Sequence, residues 1–97
     1  MANTDQLAIA ICRLVQLSKA PVPIKLANHT VEQAAAIVGA VVEACEREGV
    51  KLGQVRIDPE LALELGLVHG VALPHGSRPS VHVEEGLGRD VIFKRAQ

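Results

Sequence analysis

The stretch TVEQAAAIVGAVVEACEREG, residues 30–49, decides the fold because it predicts the clearest helix of the chain. Thr30 and Gln33 match the capping box, in which each side chain accepts a hydrogen bond from the other residue's backbone amide. Apolar residues then recur at every third or fourth position, which is the helical spacing. Gly49 is typical of the left-handed residue that follows a helix. We therefore expect a helix over Val31–Glu48.

Extended segments are predicted on both sides of this helix. Apolar residues alternate with others over Pro21–Ala27 and again over Leu52–Asp58, which is the period of a strand. Strand, helix and strand in this order form a βαβ unit, and strands that pair directly across such a unit are parallel. The sequence leaves open the alternative that another strand lies between the two.

Two further helices are predicted, one before and one after this unit. The first covers Asp5–Ser18, and its apolar stripe is expected to face the core. That stripe consists of Leu7, Ile11, Leu14, Val15 and Ser18, with Ala8 and Ala10 beside it. The second is short, Pro59–Leu65, because Asp58 is a good N-cap, proline suits the first helical position and Gly66 is expected to end the helix.

The last third of the chain predicts extended structure. Val68–Leu73 has the pattern of a strand broken by Gly70. Ser80–Glu84 and Asp90–Arg95 predict two more strands, joined by a glycine-containing loop of the kind found in hairpins.

These elements together predict an α+β fold. We expect a two-layer α/β sandwich whose mixed sheet of about three to five strands contains the βαβ unit and a C-terminal β-hairpin. The chain has 97 residues and a mass of 10.3 kDa, so residues 1–97 are expected to form a single domain.

Composition argues against several classes of protein. The chain is 48% hydrophobic, its net charge is −1, and no apolar run is long enough to span a membrane. It shows no secretory signal, so we expect a cytoplasmic protein whose two cysteines are free thiols. Nucleic-acid binding is not expected, because Phe93 is the only aromatic residue and ten basic residues face eleven acidic ones.

The apolar content itself predicts an interface. The mean hydropathy is +0.24, and a small domain has little interior in which to place so many aliphatic side chains. A contiguous exposed apolar patch usually marks an interaction surface, so we expect a homo-oligomer or a protein partner. The alternative is that the exposed apolar side chains are scattered singly, as on every protein.

Asn28, His29 and Thr30 form the first candidate site, at the junction between the first strand and the capped helix. Ligands of open α/β sheets bind at the carboxyl ends of strands, and a helix start offers free amides to an anion. His29 would add a donor that depends on pH. The alternative is that Asn28 and Thr30 only cap the helix and that His29 is an exposed loop residue.

His75 is the second candidate, with Ser77 and Arg78 beside it to bind and neutralise a phosphate. The stretch GVALPHG, residues 70–76, resembles the active-site stretch of the fructose/mannitol-type IIA domains of the bacterial sugar phosphotransferase system. The stretch HGSRP, residues 75–79, is similar to the loop of the histidine phosphocarrier proteins. Both resemblances imply that His75 carries a phosphoryl group. The alternative is a loop histidine flanked by prolines.

No cofactor or metal is expected. The spacing of His69, His75 and His82 fits no compact ligand motif, and Cys12 and Cys45 lie on apolar helix faces, where they are expected to pack in the core. The sequence contains neither a glycine-rich phosphate loop nor a nucleophile elbow.

The sequence therefore predicts a small non-enzymatic binding or regulatory domain that self-associates. The alternative function is a phosphoryl- or anion-handling protein that uses His75 or His29.

Overall fold

A computed structural model of the chain describes residues 4–69 and 80–96. The described part contains three helices and four strands. In chain order they are α1 (Thr4–Leu17), β1 (Val22–Lys25), α2 (Val31–Arg47), β2 (Leu52–Ile57), α3 (Pro59–His69), β3 (Ser80–Val83) and β4 (Asp90–Arg95).

The predicted two-layer α/β sandwich is confirmed. The four strands form one mixed sheet in the order β1-β4-β2-β3, in which β4 is antiparallel to β1 and β2 while β3 is parallel to β2. Phe93 of β4 lies opposite Val22 on one side and Val55 on the other. The helices cover one face of this sheet, with α2 packed against both α1 and α3. The fold is therefore α+β, as the order of the elements predicts.

Helix α2 begins and ends where its sequence predicts. The hydroxyl of Thr30 accepts a hydrogen bond of 3.1 Å from the amide of Gln33, and the amide of Thr30 donates one of 3.0 Å to the side chain of Gln33. At the other end Gly49 adopts φ 73°, the left-handed conformation. Local signals at both ends thus suffice to fix this element.

The βαβ unit has the arrangement that the sequence left open as an alternative, with another strand between its two strands. β1 and β2 are parallel, but β4 lies between them and bonds to both. Two parallel strands do pair directly, namely β2 and β3, on either side of α3.

The predicted C-terminal hairpin is wrong, because β2 lies between β3 and β4. Val91 and Phe93 of β4 are fully buried, whereas every residue of β3 is exposed. The apolar strand therefore occupies a central position in the sheet and the exposed strand an edge. The connecting loop crosses the carboxyl end of β2, where the amide of Gly88 donates a hydrogen bond of 3.3 Å to Asp58. Gly86 and Gly88 supply the positive φ angles that this crossing uses.

Helix α3 is longer than predicted. It runs to His69, and Gly66 lies inside it without a positive φ angle. An interior glycine costs only about 1 kcal/mol relative to alanine. The burial of Leu61 and Leu65 offsets that cost, so the helix continues. The strand predicted over Val68–Leu73 is therefore wrong at its first two residues, and its remainder lies outside the described residues.

The core lies between the helices and the sheet. Its largest fully buried side chains come from all of the described layers: Phe93, Leu26, Ile57, Leu61, Val15, Val38, Val41, Val55, Val91, Cys12 and Cys45. None of the helices in the described ranges is long and apolar enough to cross a membrane.

Candidate functional site

The carboxyl ends of β1 and β2 meet at one edge of the sheet. Because the two strands are parallel, α2 and α3 both begin at this edge. The loop before β4 closes the edge, since the amide of Leu26 donates a hydrogen bond of 3.3 Å to the carbonyl of Arg89. The topology thus gathers three loops and two helix starts around one small region, as open α/β sheets do at their ligand sites.

His29 lies in this region and is half-buried rather than exposed. Its backbone amide donates a hydrogen bond of 3.0 Å to the carbonyl of Leu26, which holds the turn between β1 and α2. The ring nitrogen Nδ1 is buried and has no hydrogen-bond partner. Asn28 beside it is exposed. Of the first candidate group, His29 is therefore the residue with a buried polar atom that has no hydrogen-bond partner.

Thr30 caps the helix. Its amide donates to the side chain of Gln33, and its hydroxyl oxygen accepts from the amide of Gln33. The helix start then offers an anion the amides of Val31 and Glu32, which have no intrahelical acceptor, and the O–H donor of Thr30. The carboxylate of Glu32 lies in the same turn and opposes a bound anion.

A small cleft of about 120 Å³ opens at the same edge. It is lined by Val31, Asp58, Glu60, Leu61, Gly88 and Arg89. The carboxylate of Asp58 caps α3 by accepting a hydrogen bond of 3.1 Å from the amide of Glu60. It also accepts the bond from Gly88 that fixes the crossing loop. Asp58 therefore joins the start of α3 to the crossing loop and is one of the two carboxylates of the cleft.

Arg89 is the cationic group of the cleft. Its Nη2 lies 3.7 Å from the carboxylate of Glu60, and its Nε is buried without a hydrogen-bond partner. Sequence reasoning missed this residue as a site candidate because it placed Arg89 in a hairpin loop. The signal that identifies it is the local cluster of basic residues formed by Arg89, Lys94 and Arg95.

A second polar cluster lies at the β2–β3 edge of the sheet. The guanidinium of Arg56 donates to both carboxylate oxygens of Glu84, over 3.0 Å and 2.7 Å. This hydrogen bonding, more than the charges of Arg56 and His82, holds the pKa of Glu84 below its ordinary value. The carboxylate is thus an ionised structural group that connects the end of β3 to β2, and it is not available as a base.

The two cysteines pack in the core, as expected, at the contact between α1 and α2. Each is almost fully buried. Burial, and then the hydrogen bond with the thiol of Cys12, raise the pKa of Cys45 far above its ordinary value. Since the thiolate is the nucleophile, Cys45 is inert in this environment.

The structure does not place the second candidate group. His75, Ser77 and Arg78 lie outside the described residues, so phosphoryl transfer on His75 stays a prediction. Within residues 4–69 and 80–96, no group of three or more histidine, cysteine or acidic side chains is arranged to hold a metal ion.

Five large apolar side chains are exposed in the described part of the chain. Leu14 and Leu17 lie on the outer face of α1 and are 53% and 85% exposed. The exposure of Leu14 contradicts its expected place in the core stripe: α1 buries Ala8, Ile11, Cys12 and Val15, and Leu14 points outward. The others are Leu63 on α3 and Val81 and Val83 on β3.

These surfaces and the cleft are the features from which a function can be argued. The cleft holds one guanidinium and two carboxylates, so its formal charge is −1. The outer face of α1 forms an open groove in which Arg13 is the one charged side chain. No family model, curated protein or solved structure matches the chain.

Proposed function

We propose that this protein is a small non-enzymatic binding or regulatory module that acts by self-association. The observation that carries the proposal is the outer face of α1, where Leu17 is 85% exposed. The inner face of the same helix is already fully packed in the core. A helix that is apolar on both sides is normally covered on both sides, so an interaction partner is expected on the outer one.

A second copy of the chain is the partner that this proposal adopts. Most soluble oligomers are homo-oligomers, and the commonest arrangement is a two-fold dimer. The high aliphatic content of so small a domain supports this choice, because a dimer buries apolar surface that the monomer cannot. Two free, buried thiols are in keeping with the reducing cytoplasm as the place of action.

Sedimentation velocity over a concentration series tests self-association. We expect the weight-average sedimentation coefficient to rise between about 10 µM and about 1 mM, the range over which a dimer of modest affinity forms. A monomer throughout this range would contradict the proposal.

Anion binding is the second candidate function, and one observation favours it. His29 Nδ1 and Arg89 Nε are both buried without a hydrogen-bond partner, and both residues belong to the same edge of the sheet. Buried polar atoms are normally satisfied, so each unsatisfied one invites an explanation such as a ligand, an ion or a water. Inorganic phosphate is the simplest anion with which to test the edge.

Histidine NMR tests whether phosphate binds at His29. His82 is exposed on β3 and serves as an internal control for nonspecific effects of phosphate. We expect phosphate to shift the ring resonances of His29 in a saturable way and to leave those of His82 unchanged. Equal shifts of both rings, or no shift of either, would remove anion binding at His29. A saturable shift of His75 alone would move the site there.

A further inference from the structure

Cys12 and Cys45 meet at the contact between α1 and α2. Each is 1% exposed, and their thiols are joined by a hydrogen bond. The two helices pack directly against each other, so this contact lies within the core. A sulfur–sulfur bond is about 2.05 Å long, and two cysteine side chains that already touch need only a small movement to form one.

A cleft at the end of α2 gives one of these cysteines access to small molecules. The cleft has a volume of about 150 Å³ and is lined in part by Cys45. The exposed residues Glu46 and Lys51 also line it, so it reaches the protein surface. Cys12 is not among its lining residues. A single water molecule needs only roughly 10–15 Å³ of such space, so a molecule as small as hydrogen peroxide can enter.

We propose that Cys12 and Cys45 are a modification site, at which a peroxide converts the two thiols of the folded protein into an intramolecular disulfide. Cys45 reacts first, because it lines the cleft, and Cys12 reacts second. A peroxide is the class of oxidant that the cleft admits by its size. The modification takes place within one chain and does not depend on self-association.

The reaction has two steps, in which atoms and electrons balance. In the first step the thiolate of Cys45 attacks one peroxide oxygen and the O–O bond breaks. The hydroxide that leaves forms water with the thiol proton, and Cys45 becomes a sulfenic acid. In the second step the sulfur of Cys12 attacks the sulfur of Cys45 and the S–O bond breaks. The hydroxide released takes the proton of Cys12, so two thiols lose two electrons and one peroxide becomes two waters.

The inertness of Cys45 determines the rate of the first step. Burial disfavours the thiolate, which is the nucleophilic form, so only a small fraction of the protein can react at any time. The second step is faster, because Cys12 is already in contact and reacts intramolecularly. We therefore expect the disulfide to form slowly and the sulfenic acid not to accumulate.

Intact mass spectrometry of the wild-type protein tests the modification. The folded protein is incubated with hydrogen peroxide, quenched with catalase and alkylated in denaturant, so that any remaining thiol gains a label. We expect a monomer that takes no label and that regains both thiols on reduction with dithiothreitol. Two labelled thiols, a covalent dimer, oxidation that dithiothreitol does not reverse, or a disulfide that forms only in urea would overturn the proposal.

An exchange of Ala8 and Cys12 provides the matched control. The double variant Ala8→Cys/Cys12→Ala keeps the composition and both core thiols, because Ala8 is buried on the same face of α1. It moves one thiol by four residues, which is about 6 Å along the helix. We expect its intramolecular disulfide to form at least about tenfold more slowly than that of the wild type, since contact sets the effective molarity. Equal rates in a variant that circular dichroism shows to be folded would overturn the pairing.

Single substitutions test the order of the two steps. In Cys12→Ala no second thiol can resolve the sulfenic acid of Cys45, and we expect dimedone, a sulfenic-acid trap added with the denaturant, to label it. In Cys45→Ala the remaining thiol does not line the cleft, and we expect at least about tenfold less labelling. Equal labelling of the two variants, or greater labelling of Cys45→Ala, would overturn the assignment of Cys45 as the first cysteine to react.

Discussion

Arg95, near the carboxyl end of β4, donates a hydrogen bond of 2.7 Å from its Nη1 to the backbone carbonyl of Gln16 in the last turn of α1. The last carbonyls of a helix have no intrahelical donor, and the helix dipole makes that end negative. The guanidinium of Arg95 supplies both a hydrogen-bond donor and a positive charge at this end of the helix. The contact spans nearly the whole sequence and fixes the helix that carries the proposed interface to the centre of the sheet.

Removal of this contact should loosen α1. We expect Arg95→Ala to lower the free energy of unfolding by about 1 kcal/mol, the usual value of one hydrogen bond of this kind at an accessible site. Urea denaturation followed by circular dichroism measures the change. Lys94→Ala is the control, because Lys94 lies on the opposite face of the sheet and no hydrogen bond is observed for its side chain in the described region. A loss of equal size in both variants would contradict the assignment.

The capping box of α2 yields a prediction about local stability. Thr30→Ala removes the acceptor of the Gln33 amide, and we expect a loss of about 1 kcal/mol in the free energy of unfolding. Asn28→Ala changes an exposed neighbour that accepts no such bond, so its effect should stay within about 0.5 kcal/mol. A double-mutant cycle with Gln33→Ala measures the coupling within the box. Additive effects of the two substitutions would show that the residues do not act as a unit.

The parts of the fold that the sequence predicts are those with local signals. Thr30, Gln33 and Gly49 mark both ends of α2 by chemistry that acts within one helical turn, so the helix can be located without knowledge of its neighbours. The position of β4 between β1 and β2 depends on contacts between residues far apart in the chain. Alternation of apolar residues shows that Val91 and Phe93 face a core, yet it does not show which strands lie on either side.

The residues of the candidate site also differ in whether local sequence is enough to predict them. His29 could be predicted because it directly precedes a recognisable helix start. Arg89 reaches the same edge only because β4 is inserted in the centre of the sheet, a non-local event that the hairpin interpretation excluded. Leu14 is exposed although its spacing predicts a buried residue. Because α1 is apolar on both sides, helical spacing alone does not distinguish the buried face from the exposed one.

The Arg56–Glu84 pair makes stability depend on pH in a defined direction. The pKa of Glu84 is lowered in the folded protein by its hydrogen bonds from Arg56. The stabilisation is therefore fully present above the unfolded pKa of about 4.3 and is lost as the pH falls through the lower folded value. We expect Glu84→Gln to be less stable than the wild type at neutral pH, with the difference shrinking below about pH 4. Denaturation at several pH values measures it.

Glu85→Gln is the matched control for that experiment. Glu85 is the adjacent residue, it is exposed, and no ion pair is seen for it among the described residues. Its substitution should leave the stability difference from the wild type small and nearly independent of pH. If Glu84→Gln followed the same flat profile, the lowered pKa of Glu84 would be contradicted.

Two glycine-to-alanine substitutions should change stability in opposite directions. Gly66 lies within α3, and an added Cβ would have no neighbour within 4 Å, so Gly66→Ala should stabilise the protein by about 0.5–1 kcal/mol through helix propensity. Gly53 lies in β2, where an added Cβ would be 3.0 Å from the backbone Cα of Ala96.

Moving the backbone of Ala96 away would cost free energy, because its amide donates a hydrogen bond of 2.8 Å to the carbonyl of Lys51. Gly53→Ala should therefore destabilise the protein by about 1–3 kcal/mol through overpacking. Urea denaturation of both variants provides the comparison. A destabilised Gly66→Ala variant would show that the glycine interrupts α3 after all, as its sequence suggests. A neutral Gly53→Ala variant would show that β2 and the end of β4 are less closely packed than the structure has them.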